Sequence, residues 1–235
     1  MLLDLFVPCY IDHFYPDIAI KTTKLLEQLG HTVNYNSGIT CCGRPAMVHG
    51  HNDLCKEAGE KIIKELSTDR PIICPDSYCA AMLRVEYKKT FHNSTFHNEY
   101  NALQKKVFEL GEFIVLEQKN VILESKILGN IVYYESCHMR NDIGSANAAK
   151  ILLANNPQIK LIEIPGEAHE CCGCHGAIPL NFPNLSAAMA QGFIAKLQDL
   201  EVDYVVSSDM LCLHQLKTYY TKGNAQFVHW IEAFI

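Results

Sequence analysis

The chain has 235 residues, of which 49% are apolar, with a formal net charge of −6 and eleven cysteines. That length allows one large domain or two of ordinary size, with ample apolar material for a core. The acidic balance and the lack of any basic run argue against nucleic acid as a partner, and no apolar run approaches the roughly 20 residues that span a bilayer.

The first seven residues are too short for a secretory signal, carry no basic leader and read as an opening strand. Apolar residues Phe14, Ile18, Ile20, Leu25, Leu26 and Leu29 suggest a helix closed by Gly30. A short strand over 31–35 leads to a loop carrying Cys41-Cys42-Gly43. A helix over 52–66, a buried strand over 71–74 and a helix over 78–87 follow. Residues 99–116 read as one long helix joining two halves.

The order then recurs, with a strand over 131–134, a helix over 146–154 and a strand over 159–164. A second Cys-Cys-Gly loop follows Pro165 and Gly166. Helices over 185–197 and 211–219, strands over 204–206 and 226–228, and a terminal helix over 231–235 complete the pattern. Short apolar strands alternating with amphipathic helices imply an α/β fold with parallel sheets covered on both faces. The expectation is two duplicated Rossmann-like βαβ halves, 1–120 and 121–235.

The cysteines carry the duplication. Cys9, Cys41-Cys42-Gly43 and Asp76-x-x-Cys79 recur as Cys137, Cys171-Cys172-Gly173 and Asp209-x-x-Cys212. The separations are 128 residues for the first cysteine, 130 for the pair and 133 for the closing motif. So small a drift marks an internal repeat with minor loop insertions. Each cysteine falls just after a strand, and sites in open parallel sheets form at the carboxyl ends of strands. Three loops per half are thus expected to converge.

Four thiolates suit zinc or an iron–sulfur cluster on softness alone. Consecutive cysteines place both sulfurs on one small tetrahedral ion only with backbone strain, whereas a cluster offers them different irons. That favours a cluster. An odd number of cysteines, with adjacent pairs poorly placed to bond each other, fits ligands in a reducing cytoplasm better than a disulfide scaffold. Cys55 lies on an apolar helix face and reads as packing. Asp76 and Asp209 read first as helix caps, and Gly43 and Gly173 as turns with positive φ. His138 and His175 read as histidines beside the site rather than in it, and Arg44 as a candidate partner for negative charge.

The stretches Thr40-Cys-Cys-Gly-Arg-Pro-Ala46, Cys79-Ala-Ala-Met82, Ser136-Cys-His138 and Cys171-Cys-Gly173 resemble the cysteine-rich CCG domain of the heterodisulfide reductases and their relatives. Within that group the chain is most similar to the lactate-utilisation protein A family of iron–sulfur oxidoreductase subunits. The resemblance implies one or two iron–sulfur clusters, of the 4Fe–4S kind, on Cys9, Cys41, Cys42, Cys79, Cys137, Cys171, Cys172 and Cys212. The reductase pattern ends in C-x-x-C and implies five thiolates per cluster, but here Asp76 and Asp209 replace the first cysteine of each closing pair. Cys74 and Cys174, with Asp76 and Asp209, are candidate extra ligands, and zinc is an alternative in one half.

The resemblance further implies electron transfer within an L-lactate oxidation system, alongside other subunits. Alternatives are a thiol–disulfide reductase subunit, or a non-catalytic protein with structural zinc. No G-x-G-x-x-G or G-x-x-x-x-G-K-[ST] motif points to a nucleotide or flavin site of its own.

Overall fold

Three of the four residues of β1 (Leu2–Leu5) are buried, as a strand covered on both faces requires. In this computed structural model, residues 1–118, 120–145, 148–164 and 171–235 are described. The chain divides into two units, Met1–Phe113 and Ile114–Ile235.

In the first unit β1 leads into α1 (Cys9–Phe14) and α2 (Pro16–Gln28), the latter started by a proline at its first position. Ile18, Leu25 and Leu26 of α2 face the core, while Phe14 and Ile20 are exposed. β2 (Thr32–Tyr35), α3 (Arg44–Val48), α4 (Asn52–Glu65) and β3 (Ile72–Cys74) follow. A continuous helical stretch comprises α5 (Ser77–Ala81), a π-turn at Met82–Glu86 and α6 (Tyr87–Phe91). The unit closes with α7 (His97–Gln104), β4 (Val107–Glu109) and the start of α8 (Leu110–Glu117).

One expectation fails in this unit. Residues 99–116 form two helices with a strand between them, not one long helix. Leu103, Val107, Leu110 and Ile114 recur at helical spacing and are all buried, so periodicity alone indicates a helix. Pairing decides otherwise. Ile72, Ile73 and Cys74 of β3 align with Val107, Phe108 and Glu109 as a parallel ladder, an example of tertiary context overriding local pattern.

The second unit contains β5 (Gly129–Tyr133), α9 (Ala148–Ala154), β6 (Ile159–Leu161), α10 (Ile178–Asn181) and α11 (Pro183–Leu197). It ends with β7 (Tyr204–Ser207), α12 (Met210–Tyr219) and β8 (Gln226–His229). The strand expected over 159–164 stops at Leu161. The terminal helix is a single 3-10 turn, Trp230–Ala233, opened by a capping box between His229 and Glu232. Ala146, Asn147, Pro165 and Gly166 lie outside the described residues.

Among the described residues each unit holds one four-stranded sheet, ordered β2-β1-β3-β4 and β6-β5-β7-β8. Every pairing is parallel. The fold is thus α/β with duplicated Rossmann-like halves. In each half the chain steps from the first strand to one side and returns to the other, which opens a crevice between the first and third strands at their carboxyl ends. Cys9 and Cys137 leave the first strand at that crevice, and Asp76–Cys79 and Asp209–Cys212 leave the third.

Candidate metal centres

In the first unit Cys42 and Cys79 approach to 3.5 Å between sulfurs. Cys41 hydrogen bonds to both Cys9 and Cys42, so the four thiols form a string, Cys9–Cys41–Cys42–Cys79. Cys9 and Cys41 are half-buried, and Cys42 and Cys79 are buried. Hydrogen bonds from Cys42 and Cys9 pull the Cys41 thiol below its ordinary pKa, helped by the Gly43 amide at 3.4 Å. Cys9 and Cys42 shift the opposite way, chiefly because each shares its proton with Cys41.

Local geometry explains the convergence. Gly43 has φ +77°, which turns the chain straight after the pair into α3. A Cβ there would meet the Cys55 carbonyl at 3.1 Å, so the loop lies directly on α4, where Cys55 is buried as packing. Asp76 caps α5, accepting from the amides of Tyr78 at 3.0 Å and Cys79 at 3.2 Å. Its second oxygen accepts from the Tyr10 hydroxyl. Tyr10 follows Cys9 directly, so this bond ties the first loop to the third. Arg44, only 5% exposed, donates to the Tyr78 carbonyl and lies 4.1 Å over the Tyr78 ring. A hydrogen bond with Cys42 and the charge of Arg44 favour the Cys79 thiolate, but burial and the neighbouring Asp76 and Cys41 outweigh them and raise that thiol. Cys74, at the end of β3, is fully buried and donates to the Asp76 carbonyl at 3.2 Å.

The second unit repeats this plan with a different inner set. Cys172 lies 2.9 Å from Cys212 and 3.2 Å from Cys174, and Cys174 lies 3.9 Å from Cys212. The Nε2 atom of His175 is 3.5 Å from the Cys212 sulfur. Donor atoms of Cys172, Cys174, His175 and Cys212 all lie within 4.8 Å of one another. Among the described residues no other group of thiols, imidazoles and carboxylates is gathered in this way. Cys137 and Cys171 are hydrogen bonded beside it and half-buried.

Asp209 accepts from the Cys212 amide at 3.1 Å and contacts His175 Nε2 at 3.2 Å. Burial opposes charge on both groups, yet their mutual attraction wins. It holds the Asp209 carboxyl below the usual range and pushes His175 up to about 9. His138 hydrogen bonds Asp142 at 2.7 Å, and its ring meets that of His175 edge-on at 4.7 Å.

All eight repeat cysteines therefore sit in two gatherings of sulfur, one per unit. Cys174 joins the second gathering, whereas Cys74 bonds to backbone. Asp76 and Asp209 act as helix caps. Sequence reasoning placed His175 outside the donor set, although Cys-Gly-Cys-His supplies two donors in register with Cys172. The Tyr10–Asp76 bond had no sequence signal, since it joins residues 66 apart.

Two separate stretches, residues 3–84 and 131–217, match the family model of the cysteine-rich CCG domain. Lactate utilization protein A of Geobacillus kaustophilus (strain HTA426) is 33% identical over 214 residues, covering 91% of this chain and 89% of that protein. The protein of the same name from Geobacillus sp. (strain WCH70) is 32% identical over the same shares. Lactate utilization protein A 2 of Bacillus cereus (strain Q1) is 28% identical. A hypothetical protein from Helicobacter pylori, known from a crystal structure, shares the fold with a TM-score of 0.62 at 14% identity, over 98% of this chain and 47% of that one. With both stretches matched and each holding its Cys-Cys-Gly loop at a strand-end crevice, the chain belongs to the cysteine-rich CCG domain family.

Proposed function

We propose that this protein is an electron-transferring iron–sulfur subunit of an L-lactate oxidation system, acting in the cytoplasm with other subunits. Kinship with lactate utilization protein A along 91% of the chain carries this reading. The two sulfur gatherings support it.

The thiol string of the first unit offers four soft donors spread along a line, which suits a cluster with several irons. Cys9, Cys41, Cys42 and Cys79 would hold it. A bound cluster supplies one-electron redox chemistry, while oxidation of lactate to pyruvate releases two electrons and two protons. The protein's own groups set the conditions. Buried Cys42 and Cys79 lie on the sheltered side, half-exposed Cys9 and Cys41 face the edge where a partner can approach, and Arg44 offsets negative charge. Among the described residues no helix is long and apolar enough to cross a membrane.

A thiol–disulfide reductase needs an accessible spare thiol. Cys74 is fully buried and Cys174 sits within the donor group, so electron relay is the better reading. A strain lacking this gene, and lacking any other lactate-oxidising enzyme, is expected not to grow on L-lactate as sole carbon source. Unimpaired growth would remove the lactate assignment.

A further inference from the structure

We propose that Cys172, Cys174, His175 and Cys212 form a mononuclear zinc site, different in kind from the thiol set of the first unit. Zinc binds sulfur at about 2.3 Å and imidazole nitrogen at about 2.0–2.1 Å, so a tetrahedral site has S···S edges of about 3.8 Å and S···N edges of about 3.5 Å. The observed S···N separation is 3.5 Å, and the S···S separations are 2.9, 3.2 and 3.9 Å.

The adjacent pair is split in this arrangement. Cys172 enters the group while Cys171 turns aside toward Cys137. That removes the strain of placing neighbouring sulfurs on one ion. The turn at Gly173, with φ +76°, brings Cys174 back beside Cys172. Three thiolates and a neutral imidazole around a divalent ion leave a single negative charge. The donor set, soft and tetrahedral, favours zinc over harder cations. Asp209 contacts that same His175 Nε2 at 3.2 Å, so metal entry exchanges this contact for the metal bond, while Asp209 keeps its place through the Cys212 amide.

The two units differ at the deciding positions. Counted from the Cys-Cys-Gly loops, Arg44 and Pro45 occupy the places of Cys174 and His175. A buried cation and an imino acid there deny the first unit the same set. The inference rests on second-unit geometry and not on the lactate assignment.

The test is metal analysis of the full-length protein, purified anaerobically without chelator, with zinc X-ray absorption. About one zinc per chain is expected, with three sulfurs and one nitrogen at the distances above. Cys174→Ser should lower zinc affinity tenfold or more, whereas Cys42→Ser in the first unit should leave zinc in place. Should Cys174→Ser fail to fold, cobalt(II) loaded into the wild-type protein gives the same reading through a tetrahedral three-sulfur spectrum. Wild-type protein without zinc, an all-sulfur shell, or undiminished zinc in the Cys174→Ser/His175→Ala double variant would overturn the proposal. A growth defect on lactate bears only on the functional assignment, so the two failures remain distinct.

Discussion

A methyl group on Gly173 would lie 2.9 Å from the Ser186 carbonyl oxygen, and the residue's φ is +76°. Gly173→Ala therefore adds a backbone clash to the roughly 1–2 kcal/mol that a left-handed conformation costs other residues. Chemical denaturation is expected to show a loss of at least about 1 kcal/mol, with zinc content falling alongside. The need for glycine was legible from the Cys-Cys-Gly repeat; its cause, a loop pressed on helix α11, was not. Asp4 is another residue-scale case. It is buried in β1 and gripped by Arg70 at 2.8 and 2.9 Å, Thr68 at 2.6 Å and Asn34 at 2.7 Å. Burial raises its pKa, but hydrogen bonds from Arg70, Thr68 and Asn34 outweigh that and lower it below 3.8. A depressed carboxyl stabilises the fold above its unfolded pKa and loses that contribution as pH falls through the native value. Asp4→Asn should thus lower the melting temperature near pH 7. The gap should close as the pH drops from about 4. A gap independent of pH would contradict this.

At the scale of elements, α4 packs against α6 through Gly59, where a Cβ would fall 2.7 Å from the Phe91 ring. Tyr87, Phe91 and Tyr100 meet there at centroid distances of 5.3–6.2 Å. Gly59→Val should destabilise the protein by about 1–3 kcal/mol by overpacking, measured by denaturant unfolding. The elements most legible in the sequence were those with strong local signals, such as β3 with its run of buried apolar residues and α4 with its periodic face. Asp76 and Asp209 announced the starts of α5 and α12. β4 was missed because three residues carry too little pattern to compete with helical spacing around them, and its partner β3 lies more than thirty residues earlier. For the same reason the 3-10 turn at Trp230–Ala233 read as a helix.

For the whole molecule, the duplication was the most readable property, because the repeated cysteine spacing is independent of any single element's assignment. The inequivalence of the two sites was harder to read. It depends on which side chains beyond the repeat turn inward, and Arg44 against Cys174 is decided by packing rather than spacing. The molecule is two copies of one scaffold, each with a strand-end crevice that gathers sulfur for metal chemistry. Iron, acid-labile sulfide and zinc measured on anaerobically purified protein, with electron paramagnetic resonance of the reduced sample, test this most directly. Iron with matching sulfide is expected, together with a cluster signal that Cys42→Ser and Cys79→Ser abolish and Cys174→Ser leaves intact. A preparation fully active in lactate oxidation yet free of iron, sulfide and zinc would contradict it.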